Sequence, residues 1–191
     1  MFIYDNNHIY IKERDKAVKI KIEHKIIGEK SFMFVGCVYY GDPFHSAKEW
    51  TIENEIGKLW QRFYKLTSSR KNWRLLRKFI IPNIGYELHI EPEEYIETRN
   101  YYVFVGFEIT GYSEIPLEMF VKALPKINYL TFTAKAMDLD SGEYYFKTWL
   151  PQSKYEQAYP YVIQAYDAQR FKSLQDEESE IDWYIPIKQK S

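Results

Sequence analysis

The chain has 191 residues, 46% of them hydrophobic, which is one domain's worth of core-forming material. Its 26 Lys and Arg nearly balance 27 Asp and Glu, so no overall field draws it to nucleic acid or to an anionic membrane. The longest strongly apolar run, Phe32 to Tyr40, is about half of the ~20 residues a membrane-spanning helix needs, and a lone Cys37 allows neither an internal disulfide nor a C-x-x-C metal site.

Residues 1–18 have weak periodicity and a charged patch at 12–16, and form an N-terminal extension that still offers a strand through Ile9, Tyr10 and Ile11. The opening Met1-Phe2-Ile3-Tyr4-Asp5 carries an acid where a secretory leader is basic, so a cytoplasmic setting is expected. Alternation over Lys19 to Glu23 and the aromatic, β-branched run Phe32 to Tyr40 predict two strands with a bend at Gly28. Ile52, Ile56, Leu59, Trp60 and Phe63 then recur at helical spacing, with Thr51 as N-cap. A second helix through Trp73, Leu76 and Phe79 or Ile80 is expected to stop at Pro82, because proline disfavours helix in the residue before it. Its basic run Arg70, Lys71, Arg74, Arg77 and Lys78 fits a solvated face better than a nucleic-acid patch, since acids elsewhere cancel the charge. Tyr86 to Ile90 and Tyr101 to Thr110 are strands joined by an acidic loop.

The second half repeats this order. Phe120 to Ala123 and Tyr129 to Ala136 are strands, Gly142 to Leu150 is a helix ended by Pro151, and Val162 to Phe171 and Ile181 to Lys188 are two further strands. Gly57-Lys58-Leu59-Trp60 is echoed by Phe146-Lys147-Thr148-Trp149. One helix on a small sheet leaves apolar surface that a second copy covers. The expected fold is therefore α+β: two pseudo-twofold-related strand-helix-strand-strand units in a mostly antiparallel sheet, helices on one side, and a central cleft.

The composition includes 18 Tyr, 12 Phe and 5 Trp, which suits a packed core or an aromatic-walled pocket. On the strand from Tyr101, alternation puts Val103, Val105 and Phe107 on one face and Tyr102, Phe104, Gly106 and Glu108 on the other. The second face makes a poor core and a good binding wall. Gly106 either leaves room for a ligand or marks a bulge or close helix contact. Glu108 is either a rim charge paired with a lysine or a buried anion for a cationic guest.

The order Thr148-Trp149-Leu150-Pro151-Gln152-Ser153-Lys154-Tyr155, then Ile163-Gln164-Ala165-Tyr166-Asp167 with Arg170-Phe171, then Ile181-Asp182-Trp183-Tyr184-Ile185-Pro186-Ile187-Lys188, resembles the C-terminal half of the GyrI-like, or bacterial effector-binding, domain family. The resemblance spans residues 19–188 and implies a stand-alone ligand-binding module related to the sensors of AraC-type and MerR-type regulators. No length remains for a helix-turn-helix module, so direct DNA binding is not expected, and neither a cofactor nor a metal is implied. In relatives the pattern is aromatic-Glu-x-Tyr-Asp, its glutamate projecting into the cavity. Here Gln164 stands in that place, and an amide lacks the Coulomb term that attracts a cation. A preference for lipophilic cations then depends on Glu108 taking over that role. The resemblance further implies Tyr166, Tyr145 and Trp149 as pocket residues, with Tyr86 after Ile81-Pro82-Asn83 and Phe132 within Tyr129 to Lys135; for Trp149, helix-on-sheet packing is the competing role.

The expected function is binding of hydrophobic or cationic small molecules, including a range of drugs and dyes. The family implies two alternatives: hydrolysis of reactive hydrophobic compounds in the same pocket, or a gyrase-inhibitor-like protein partner. Enzyme chemistry has little support in the residues: His8, His24, His45 and His89 show no ligand spacing, and no G-x-S-x-G elbow or glycine-rich phosphate loop occurs.

Overall fold

A computed structural model describes residues 3–5, 8–13, 16–21, 23–45, 53–136 and 138–190. Strands β1 (Ile3–Asp5), β2 (His8–Glu13) and β3 (Lys16–Lys21) pair antiparallel into a small sheet of their own. The strand expected through Ile9 to Ile11 is β2, and the one expected from Lys19 lies in β3.

The main sheet has nine strands: β4 (His24–Lys30), β5 (Met33–Gly41), β6 (Ile80–Ile90), β7 (Tyr101–Ile109), β8 (Phe120–Ala123), β9 (Ile127–Lys135), β10 (Tyr155–Gln157), β11 (Tyr161–Asp167) and β12 (Glu180–Gln189). Every pairing is antiparallel, in the order β4-β9-β12-β11-β6-β7-β5-β8, with β10 on β12. The two expected units are visible in that order. β5, β6 and β7 lie outer, inner and middle in one half, and β9, β11 and β12 take the same places in the other, so β6 meets β11 at the centre.

Two short links bind the halves. β4 and β5 are joined by Ser31 and Phe32 alone, yet occupy the first and seventh places in the sheet; β8 and β9, at the eighth and second places, are joined by residues 124–126. A two-residue link spans at most about 11 Å, whereas six strand spacings in a flat sheet would separate β4 from β5 by about 29 Å. The sheet must therefore curl until its ends meet. Leu124 N donates to Phe32 O at 2.8 Å where they do. Inside the curl lies a core of Phe32, Phe34, Tyr86, Leu88, Phe104, Tyr129, Tyr161 and Ile163, all nearly without exposure.

The helices pack on the other, outer face. α1 (Glu55–Thr67) buries Ile56, Leu59 and Phe63 against Val35, Cys37, Val103 and Val105. Its N-cap is Asn54, whose side chain accepts from Gly57 N at 2.8 Å; Thr51 and Ile52 lie outside the described residues. α2 (Arg70–Leu76) follows. It ends earlier than Pro82 requires, because Ile80 and Ile81 already belong to β6, and Pro82 sits within that strand at the irregularity between Ile80 and Gly85, where a missing N–H breaks no ladder bond. The acidic loop carries the short α3 (Tyr95–Thr98). In the second unit α4 (Leu139–Tyr144) runs into a π-helical turn, Tyr145–Trp149, and a last turn, α5 (Leu150–Gln152). Pro151 thus lies inside the final turn rather than stopping the helix before it, in the first positions of α5 where a proline is tolerated. Tyr144, Tyr145 and Leu150 pack on Leu130, Phe132, Ile185 and Ile187. Among the described residues no helix is long and apolar enough to cross a membrane.

Candidate functional site

Helix α1 and the α4 segment cover the outer halves of the helical face and leave a groove along its middle, floored by β6 and β11. Strand alternation selects what points into it. Gly85, Glu87 and His89 from β6 share this face with Val162, Gln164 and Tyr166 from β11, and Glu87 is the direct cross-strand partner of Gln164. Glu87 is 2% exposed and Gln164 5%.

Each oxygen of the Glu87 carboxylate has a partner. Trp60 Nε1 of α1 donates to Oε2 at 2.6 Å, and His89 Nε2 lies 2.6 Å from Oε1. The Trp60 ring reaches Glu87 because it lies over Gly85, where an added Cβ would come within 3.0 Å of the indole. Tyr166 OH donates to Gln164 Oε1 at 2.7 Å. Burial, reinforced by the Glu87 charge, holds the Tyr166 phenol well above its ordinary value, so it stays a neutral donor. Tyr166 also meets Trp60 and Phe171 edge to face, with centroids 5.6 and 4.9 Å apart.

Two cavities flank this centre. One, about 310 Å³, is lined by Ile56, Trp60, Tyr64, Glu87, Tyr166, Phe171 and Leu174, and its wall is mostly apolar. The other, about 470 Å³, is lined by His89, Tyr101, Phe146, Val162, Asp42 and Glu91 among others. Burial, with the charge of Glu87, raises the Tyr101 phenol well above its usual range as well. The arrangement is concave and ring-walled with a few convergent polar groups, the usual design of a small-molecule site. Among the described residues no group of three His, Cys, Asp or Glu is placed to hold a metal ion.

The residues singled out in the sequence fall on two faces of the sheet. Gln164 and Tyr166 are at the groove's centre. Phe132 and Tyr145 share its face but stack on each other at 4.1 Å in the core beside it, 3% and 0% exposed. Trp149 is partly buried and packs on the same core, the helix-on-sheet role, stacking on Tyr155 at 6.2 Å and meeting His24 edge to face at 4.9 Å. Tyr86, Tyr102, Phe104 and Glu108 lie on the opposite, inner face. Tyr102 is exposed beside Tyr40, with ring centroids 4.5 Å apart, and Phe104 is buried in the inner core.

This placement corrects the expectation that Glu108 substitutes for an acid at position 164. The strand register puts the whole sheet between them. Glu108 is instead buried, 8% exposed, where it accepts from Tyr86 OH at 2.8 Å and lies 3.6 Å from Lys30 Nζ, so it pairs with a lysine but not at a rim. Gly106 neither opens room for a ligand nor marks a bulge or a helix contact: it lies against the backbone of β5, where a Cβ would fall 2.3 Å from Val35 O. The groove's acid is Glu87, which the sequence analysis did not single out. The signal was present, since alternation from Tyr86 to Ile90 pairs Glu87 with His89 on the face opposite Tyr86, Leu88 and Ile90.

Comparison with known proteins gives one family whose profile matches residues 25–187, described as Cass2, integron-associated effector binding protein. No curated protein sequence matches the chain. Among solved structures, the integron cassette protein VCH_CASS2 from Vibrio cholerae superposes with a TM-score of 0.53 at 16% identity, over 87% of this chain and 95% of that one. SAV2435, in a structure bound to tetraphenylphosphonium, gives 0.58 at 14% identity over 88% and 94% of the two chains. The EcmrR C-terminal domain gives 0.52 at 13% identity over 88% and 98%. At these identities the structural likenesses establish a shared fold.

Proposed function

Because the chain belongs to the integron-associated effector binding protein family, we propose that it holds a hydrophobic, cationic small molecule over Glu87, at the α1 side of the groove, between α1 and residues 171–175. The observation that carries this reading is the position of Glu87: a buried carboxylate, directly opposite Gln164, at the edge of an aromatic cavity of about 310 Å³.

The amide at position 164 and the acid at position 87 are neighbours, so the cleft keeps a negative charge although β11 has lost it. A cation about 4 Å from that carboxylate gains about 4 kcal/mol at an effective dielectric of 20, before its desolvation is subtracted. Trp60, Tyr64 and Tyr166 supply ring faces and edges, each cation–π contact adding about 0.5 to 2 kcal/mol. The binding of tetraphenylphosphonium by SAV2435, which shares the fold, supports a bulky lipophilic cation as the ligand class. We further propose a cytoplasmic setting and a range of drug-like and dye-like ligands.

Trp60 touches Glu87, so quenching of tryptophan fluorescence reports on the site. Titration with tetraphenylphosphonium is expected to give saturable quenching, weakened at least tenfold by Glu87→Gln, strengthened by Gln164→Glu and unchanged by Glu108→Gln. Equal affinity in wild type and Glu87→Gln would overturn the assignment.

A further inference from the structure

Helices α1 and α2 and the turn after them, residues 55–79, carry eight cations and one acid, which leaves the rest of a chain of net charge −1 at −8. The acid, Glu55, pairs with Lys58 at 2.7 Å. The other seven cations are all exposed, and among the described residues none has an ion pair. The sequence pattern alone favours a solvated face, but several exposed lysines elsewhere have an acid beside them: Lys147 pairs with Glu143, Lys172 with Asp176 and Lys188 with Glu156.

The arrangement on α2 works against the helix itself. Arg70 and Lys71 occupy its first turn, where the helix dipole disfavours cations, and no acid is present there. Arg70 and Arg74 are four residues apart, and Lys71 and Arg74 three, the spacings at which like charges repel on a helix surface. Arg77 and Lys78 follow in the next turn, and Arg62 and Lys65 are exposed on the adjoining α1. Trp73 borders this arc and is 43% exposed, an indole left in water among cations while Leu76 on the opposite side is buried.

From this surface we infer a second binding function: the α1–α2 hairpin holds the phosphate backbone of a single-stranded nucleic acid, with a base stacked on Trp73. A row of guanidinium groups one turn apart suits successive phosphates, to which Arg bonds bidentately. Cations combined with an exposed ring form the usual platform for single strands. A membrane surface would need several apolar residues facing out with the cations, and α2 presents only Trp73. The site is separate from the Glu87 groove and does not depend on it.

The test is fluorescence anisotropy of the full chain with a labelled oligothymidylate of about 20 nucleotides, set against a duplex of equal length, polyglutamate, and vesicles of phosphatidylserine with phosphatidylcholine. With about five phosphate contacts, affinity for the single strand is expected to fall about 100-fold between about 50 and 200 mM salt. The Arg70→Gln/Arg74→Gln/Arg77→Gln variant should lose most of that affinity and flatten the salt dependence, while its melting temperature is no lower than wild type and its tetraphenylphosphonium titration is unchanged. Trp73→Ala should weaken the single strand about tenfold and the duplex far less. Absence of oligothymidylate binding at low salt, binding indifferent to the triple variant, or tighter binding to polyglutamate or the anionic vesicles would overturn the inference, the last two outcomes pointing to an acidic protein or a membrane instead.

Discussion

At residue scale the informative groups are paired acids whose partners decide their state. Asp182 bonds both guanidinium nitrogens of Arg170, Nη1 to Oδ1 at 3.0 Å and Nη2 to Oδ2, and accepts from Thr133 Oγ1 at 2.6 Å. Burial alone would raise its carboxyl, but the Arg170 and Thr133 hydrogen bonds outweigh burial and hold it below the ordinary value. A carboxyl depressed in the folded state contributes stability that is present above its unfolded pKa and lost as pH falls through the folded one. Asp182→Asn is therefore expected to lower unfolding free energy at pH 7 by about 1 to 3 kcal/mol, and the difference from wild type should disappear in strong acid. Urea melts at the two pH values check this, and an undiminished deficit in acid would show that the pair acts through packing rather than charge.

At the scale of elements, close approach of β5 to β7 is set by two glycines. Gly36 and Gly106 are cross-strand partners, and a Cβ on Gly36 would lie 1.9 Å from Val105 O. No rotamer relieves a clash with backbone. Gly106→Ala is expected to cost about 3 kcal/mol or to break the β5–β7 pairing, measured as a fall in melting temperature with loss of sheet signal. Asn54→Ala should cost α1 about 1 kcal/mol through its lost cap, read from the same melts. Neither position was legible beforehand, the cap being expected at Thr51, but the elements around them were. Periodicity located α1, the β7 strand and the repeated order of the units, because each buries one face and the apolar spacing records it. Periodicity did not locate the end of α2, since Ile80 and Ile81 suit helix or strand and only the ladder with β7 decides between them. Gly106 had two equally good roles until Val35 O was seen beside it. Glu87 was legible in principle, by the alternation already applied to Tyr101 to Ile109; what the sequence lacked was the pairing of β6 with β11, which brings positions 87 and 164 together.

At the scale of the molecule, the exchange of edge strands makes the two units one folding body. β4 precedes the first unit in the chain but lines the edge of the second, and β8 precedes the second but lines the edge of the first. Alternation within a strand says nothing about such neighbours, so this link was invisible beforehand. Its keystone is Phe32, 1% exposed, stacked 5.4 Å from Phe34 and meeting Tyr86, Tyr129 and Tyr184 edge to face. Those rings come from both units, so truncating Phe32 removes contacts that neither half can replace. Phe32→Ala is expected to cost about 3 to 5 kcal/mol. The shape of the transition is more telling than its midpoint. If the curl couples the units, calorimetry of the variant should still give a single transition, shifted down, with calorimetric and van't Hoff enthalpies equal. Two resolved transitions would mean that each unit is stable without the exchanged strands. The groove between α1 and the α4 segment would then join two independent bodies, and its geometry over Glu87 and Gln164 would not be held by the fold.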